Sequence, residues 1–169
     1  MHVATSPTTS PDALEQLIYV SIDTREVTNP IRAADILAEA RRNNARDDIT
    51  GVLTFTGGRF VQILEGRSDR LEDLLARLRV DHRHRDMEVL ARRTITHRDF
   101  PGWDMVSPRL ARSQIDKLNS LLIETPKDLD AYVDILAEAV HRQASALARY
   151  GYDPREDTPD GQSAGSPTA

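Results

Sequence analysis

A glutamine stands in the middle of RFVQILEG, Arg59 to Gly66, a run that otherwise has the content of a buried β-strand. Side chains alternate faces in a strand, so Gln62 shares its face with Phe60 and Leu64. A carboxamide carries both donors and an acceptor. Buried without partners it costs roughly 1–3 kcal/mol, so an amide here points to a polar ligand on an apolar sheet face. Tyr19 and Ser21 lie on one side of a second strand-like run, QLIYVSI (Gln16 to Ile22), together with Leu17. Asn43 and Asn44 close a helical stretch behind Arg41-Arg42, two adjacent amides that suit either a helix cap or the donor and acceptor edge of a heterocycle. Taken singly, each has a plain structural reading. Tyr19 would be a core residue, Asn43 and Asn44 caps, Trp103 core packing with Met105 filling the gap beside it, and His82 and His84 loop residues facing solvent.

The elements that must position these groups follow from periodicity and turn chemistry. After the first strand, Asn29-Pro30 starts a helix, with Asn29 as cap and an apolar stripe of Ile31, Ala34, Leu37 and Ala38. Thr50 to Thr56 and Arg59 to Glu65 form a hairpin about Gly57-Gly58, a pair that tolerates positive φ at both turn positions. Pairing Thr56 with Arg59 sets Phe55 opposite Phe60 and Leu53 opposite Gln62. Ser68 caps a second helix whose Leu71, Leu74, Leu75 and Leu78 form one buried face. Met87 to Thr96 is a strand, and Trp103 to Val106 a short last one after Phe100-Pro101-Gly102. The expected fold class is α+β: a ferredoxin-like βαββαββ arrangement, a mixed five-stranded sheet with two helices on one face, plus C-terminal helices. A groove between the two helices, floored by the sheet, is where a flat ligand would lie.

Composition narrows the function classes. The chain has 169 residues, a formal charge of −5 and a pI near 5.5, which argue against a general affinity for nucleic acid or anionic membrane, and the clusters Arg41-Arg42 and Arg92-Arg93 read as solvated faces. No run reaches the length of a membrane span and Met1 to Pro11 has no signal-peptide core, so a cytoplasmic location is expected. There is no cysteine, and five dispersed histidines do not form a metal site. Four regions are expected: a flexible N-terminus (1–13), a folded α+β domain (14–108), a helical extension (109–151) and a disordered tail (152–169).

Five segments in order carry a resemblance: YVS at Tyr19 to Ser21, NNARDDITG at Asn43 to Gly51, GGRFVQILEG at Gly57 to Gly66, DHRHRDMEVL at Asp81 to Leu90, and FPGWDM at Phe100 to Met105. Together, from about Gln16 to Ser107, they resemble the BLUF family of blue-light sensors that use flavin. The loop Asp23 to Thr28 departs from the pattern, being more polar and about a residue longer. The resemblance implies FAD as cofactor, with FMN the alternative, held non-covalently. It implies that Tyr19 is the photoactive tyrosine and that Gln62 is the glutamine between it and the flavin. Asn44 would bond the pyrimidine edge with Asn43 beside it, and Ser21 would face the same groove. Ile36, Phe60 and Leu64 would be apolar ring contacts, and Arg83 and His84 would lie near the far edge and ribityl chain. Trp103 and Met105 would be the pair of which one lies near the glutamine and relays the signal. The implied chemistry is electron and proton transfer from Tyr19 through Gln62, returning to a state in which the glutamine is rotated or tautomerised and absorption is slightly red-shifted. Independently, a cysteine adduct is impossible without cysteine, a tryptophan chain is impossible with Trp103 alone, and no GxGxxG follows a strand.

Beyond the last strand, Ser113 to Glu124 reads as a helix with Ile115, Leu118, Leu121 and Leu122 on one side. Thr125-Pro126-Lys127-Asp128 opens another, with Leu129, Val133, Leu136, Val140 and Leu147 as its apolar positions. Packing onto the sheet's free face is the default expectation. No output enzyme is expected, so the protein would signal to a downstream partner protein or through homo-oligomerisation, as a dimer or larger. The alternative reading is a flavin-free ferredoxin-like interaction module.

Overall fold

A computed structural model describes residues 10–24, 30–124 and 128–151, with the side chains of 30–33 and His84 outside that description. Asn29, the loop from 25, the helix start at Thr125 to Lys127, residues 1–9 and the tail from 152 lie outside it too.

In chain order the elements are β1 (Leu14–Asp23), α1 (Pro30–Asp47), β2 (Thr50–Thr56), β3 (Arg59–Arg67), α2 (Ser68–Arg79), β4 (His84–Thr94), α3 (Arg112–Ile123) and α4 (Leu129–Ala148). The sheet runs β2-β3-β1-β4 and every pair is antiparallel. Gly57 and Gly58 take φ of 58° and 75° at the hairpin turn, and the expected register follows, with Phe55 opposite Phe60 and Leu53 opposite Gln62.

Where a mixed sheet of five strands was expected, four strands form among the described residues, all paired antiparallel. The segment Trp103 to Val106 is reduced to one parallel bridge, Val52 with Val106, on the β2 edge. Its hydrogen bonds run from Gly51 N to Trp103 O at 2.9 Å, from Leu53 N to Val106 O at 2.8 Å and from Val106 N to Gly51 O at 3.1 Å. The bend at Pro101-Gly102 and the missing N–H of Pro108 leave too little chain between them for a ladder. Gly51 also approaches β3 so closely that a Cβ there would lie 2.2 Å from the Ile63 carbonyl oxygen.

Three boundaries differ from the sequence reading. Helix α1 continues to Asp47 and ends where Asp48 adopts a left-handed φ of 51°, so Asn43 and Asn44 lie within its last turns and do not cap it. Ser68 is the first residue of α2 and makes no cap; its hydroxyl accepts from Arg92 Nη2 at 3.1 Å. Strand β4 runs from His84 to Thr94, three residues earlier at its start than expected and two at its end.

Both faces of the sheet are covered, which is why β1 and β3 are buried almost throughout. Alternation sorts the core into two layers. Leu17, Tyr19, Leu53, Phe60 and Leu64 face α1 and α2, where they meet Ile49, Leu71, Leu74, Leu75 and Met105. Ile18, Val20, Val52, Val61 and Ile63 face the other way, against Leu118 of α3 and Leu129, Tyr132, Val133, Leu136 and Val140 of α4. The C-terminal helices therefore seat on the chain's own sheet. Asp128 caps α4 by accepting from Ala131 N at 3.2 Å.

Candidate functional site

Tyr19 and Gln62 stand directly opposite each other in the β1–β3 ladder, with Leu53 opposite Gln62 on the other side. Cross-strand neighbours on one face are close enough to touch, and the Tyr19 hydroxyl donates to Gln62 Oε1. Both residues are buried, Tyr19 at 1% and Gln62 at 6% exposure. Burial, reinforced by the negative charge of Asp81, pushes the Tyr19 phenol well above its ordinary pKa, so the proton stays on the phenol. Gln62 Nε2 donates to Met105 Sδ at 3.4 Å. A thioether can only accept, so Met105 fixes the amide with its NH2 towards sulfur and its oxygen towards Tyr19.

Met105, at 1% exposure, is thus the residue of the Trp103/Met105 pair beside the glutamine. Trp103 packs against the opposite layer, the one covered by α3 and α4. Two groups of α1 grip the backbone that carries Met105: Arg41 Nε donates to the Met105 carbonyl at 2.8 Å and Asn44 Nδ2 to the Asp104 carbonyl at 2.7 Å. Arg41, read from the sequence as a solvated charge, is a tether.

Between α1 and α2 a cleft of about 150 Å³ opens onto the pair. Its apolar walls are Ile36 and Ala40 on α1, Leu74 and Leu78 on α2, and Leu53 on the sheet. Tyr19, Gln62, Asn43 and Asn44 are its uncharged polar lining, and Arg77, Asp81, Arg83 and Glu39 provide its charged groups. Arg83 bridges its span, with Nη1 at 2.6 Å from Glu39 Oε2 and Nη2 at 2.6 Å from Asp81 Oδ2. The Arg83 bonds draw the Glu39 carboxyl below its usual range. Arg77 ties α2 to α1 through Asp47 at 2.6 Å.

Of the residues singled out in the sequence, Tyr19, Gln62, Ile36, Asn43, Asn44 and Arg83 line this cleft. Phe60 lines an adjoining apolar recess that shares Ile36 and Leu53 with it. Ser21, opposite Phe60, and Leu64 are buried on the same face but do not line the cleft. The backbone of His84 begins β4 and its side chain is outside the description. Sequence reasoning missed Glu39, Arg77 and Asp81. For Glu39 and Arg77 only the apolar stripes of the helices were read, and nothing in a helical repeat tells a charged residue lining a cleft from one facing solvent; Asp81, between α2 and β4, was read only as the start of a motif. A flat group with polar edges fits this lining of apolar side chains, three amides, a phenol and two arginines.

Comparison with known proteins agrees with this geometry. The family model described as "BLUF: Sensors of blue-light using FAD" matches residues 14–106. A dark-state structure of BlrB, a BLUF protein, superposes with a TM-score of 0.66 at 30% identity, covering 76% of this chain and 98% of that one. A structure of Klebsiella pneumoniae BlrP1 with FMN and cyclic diGMP matches at 30% identity and a TM-score of 0.54, covering 82% of this chain and 35% of that one. The photoactivated adenylate cyclase subunit beta of Euglena gracilis is 36% identical over 100 residues, which is 59% of this chain and 12% of the relative's length. The chain therefore spans only a small part of the curated relatives that it matches. With the family model covering more than half of the sequence and the solved folds agreeing, this chain belongs to the BLUF family of flavin-based blue-light sensors.

Proposed function

We propose that Tyr19, Gln62 and Met105 form the light switch of this sensor, and that FAD is the flavin it holds. The observation that carries the reading is the buried chain of contacts from the Tyr19 hydroxyl to Gln62 Oε1 and from Gln62 Nε2 to Met105 Sδ. Ile36, Ala40, Leu53, Leu74 and Leu78 would flank the ring system, Asn43 and Asn44 would meet its polar edge, and Arg77, Arg83 and His84 would lie towards its tail. When bound, the flavin supplies blue-light absorption and a strongly oxidising excited state.

The residues' part follows from their hydrogen-bonding capacities. The Tyr19 proton is aimed at the Gln62 carbonyl, so electron loss from the phenol can be accompanied by proton transfer to that oxygen. The lit state would then be a second arrangement of Gln62, rotated or tautomerised. Turning the amide over would set its oxygen against Met105 Sδ, two acceptors face to face, and that contact would be lost. One net hydrogen bond is worth roughly 0.5–1.5 kcal/mol, about a tenfold population change at best, so the responding element must be weakly held. The segment that carries Met105, joined to the β2 edge at one bridge and to α1 by Arg41 and Asn44, is the element in direct contact with the amide.

The signal would leave through this segment and the helices α3 and α4, towards a downstream partner protein, with no catalysis by the chain itself. The test is illumination of flavin-loaded protein. The expected result is a reversible red shift in wild type and none in Tyr19→Phe or Gln62→Leu; a full shift retained in Gln62→Leu would refute the switch. Chromatography of the flavin released on denaturation separates FAD from FMN.

A further inference from the structure

On the face of β3 opposite Gln62 lies a second buried polar centre, which the switch does not use. Glu65 is fully buried, and its carboxylate accepts four hydrogen bonds: Oε1 from Gln16 Nε2 and Asp99 N, both at 2.8 Å, and Oε2 from Phe100 N at 3.0 Å and Thr50 Oγ1 at 3.1 Å. Gln16, also fully buried, donates from the same Nε2 to Asp99 Oδ2 at 2.7 Å and accepts at Oε1 from Arg93 Nε at 2.9 Å. Arg93 continues outward to an ion pair with Asp130, in the first turn of α4. One connected set of bonds therefore runs from the backbone of Asp99 and Phe100, a few residues before Met105, through Glu65, Gln16 and Arg93 to the start of α4.

The two ends of this set are unequal. Glu65 and Gln16 are satisfied and rigid, as buried polar networks must be. The Arg93–Asp130 pair is exposed, with side-chain accessibilities of 34% and 74%. Two residues further on, the Tyr132 hydroxyl is the one buried side-chain polar atom without a hydrogen-bond partner among the described residues. An unpaired buried hydroxyl weakens the docked arrangement of α4 relative to any other in which it finds a partner. The helix start is thus held by the burial of Leu129, Tyr132 and Val133 and by one screened ion pair, over an unsatisfied hydroxyl that favours any arrangement in which it finds a partner.

We propose that Glu65 and Gln16 are positioning residues: they anchor the Asp99–Met105 segment and, through Arg93 and Asp130, make the docking of the first turn of α4 depend on the state of Gln62. The proposal rests on the light switch described above. The Met105 contact is one of several holds on this segment, beside the Arg41 and Asn44 bonds at Met105 and Asp104, the Glu65 bonds at Asp99 and Phe100 and the bridge at Val106, and its loss leaves the others to set where the segment sits. Displacement at Asp99 is then felt by Gln16, which bonds Asp99 and Arg93 at once.

The experiment uses the full chain loaded with FAD. Dark recovery after a light pulse is followed at low salt and at about 1 M salt, where the Debye length falls to about 3 Å. Amide exchange in α4 is compared between light and dark. In wild type, high salt should change the recovery rate about twofold to fivefold, the range expected for loss of an exposed ion pair. Asp130→Asn, far from the cleft, should keep the full red shift, show the high-salt rate at low salt, and lose salt dependence. Its first turn of α4 should exchange equally fast in light and dark. Glu65→Gln puts a donor among four donors and should uncouple α4 in the same way, and Tyr132→Phe should reduce the light-induced exchange of α4. If Asp130→Asn matches wild type in salt dependence and in the exchange of α4, the coupling is refuted, whether or not Glu65→Gln folds. Wild type with bound FAD and no red shift would instead refute the switch on which the coupling rests.

Discussion

Gln62→Leu should destabilise the protein, and adding Tyr19→Phe should recover part of the loss. In the wild type two buried polar groups satisfy each other, the Tyr19 hydroxyl at 1% exposure and the Gln62 amide at 6%. The leucine variant leaves the phenol O–H buried with no acceptor, at roughly 1–3 kcal/mol. The new side chain packs between Leu53, Phe60 and Leu64 and offsets part of this by apolar burial, leaving a net loss of roughly 1–2 kcal/mol. For a chain of this size each kcal/mol moves the Tm by about 2–4 °C, so the variant should melt about 2–8 °C lower. Phenylalanine at 19 keeps the ring and removes the orphan hydroxyl, so the double variant should be more stable than Gln62→Leu alone by about 1–2 kcal/mol. Urea and thermal unfolding of flavin-free wild type, both single variants and the double variant close the cycle without a ligand contribution. If the double variant is no more stable than Gln62→Leu, the two groups are not each other's partners and the geometry of the switch is wrong.

Three further outcomes follow from the same structure. Gly51→Ala should cost roughly 3 kcal/mol or more, because its Cβ would meet the Ile63 carbonyl at 2.2 Å, and denaturant titration should show the loss even with flavin bound. Asp47 is held below its ordinary pKa of 3.8 by hydrogen bonds from Arg46 and Arg77. A carboxylate with a depressed folded pKa adds stability above its unfolded pKa and loses it as the pH falls through the folded one. Asp47→Asn should therefore lower stability at neutral pH, and the difference from wild type should shrink steadily below about pH 4, as measured by urea midpoints across the acid range. Glu39→Gln weakens the Arg83 bridge across the cleft and should speed FAD association at low salt, read by flavin fluorescence quenching on mixing; an unchanged on-rate would mean that the bridge does not guard entry.

Much of this protein is legible in short windows of sequence, because the features concerned are local. Alternation put Phe60, Gln62 and Leu64 on one face, and Gly57-Gly58 specified the hairpin and through it the pairing of Leu53 with Gln62. The leucines of α2 declared their face by spacing alone. The order of the motifs from Tyr19 to Met105 sufficed for the family. Local signals failed where a neighbour distant in sequence decided the outcome. Asn44 reads as a cap in isolation, yet α1 runs on to Asp47, where the chain turns at Asp48 and Arg77 of α2 supplies a partner. Glu65 has the parity of the apolar layer and reads as a strand end, but backbone donors at Asp99 and Phe100 make it a buried hub.

The sequence by itself determined the sheet's two faces, the residue types on each, and the presence of an amide among apolar side chains, because a two-residue period and a glycine turn need nothing beyond their own window. Only the tertiary structure decided what that amide touches. Tyr19 reaches it because β1 and β3 pair with those two residues opposite. Trp103 and Met105 share one parity, so a strand would have sent both to the same face. The segment forms only a single bridge, alternation does not apply, and packing sends Met105 to Gln62 and Trp103 to the layer under α3 and α4. Contacts of this kind depend on register and burial between segments far apart in the chain, and no local pattern carries them.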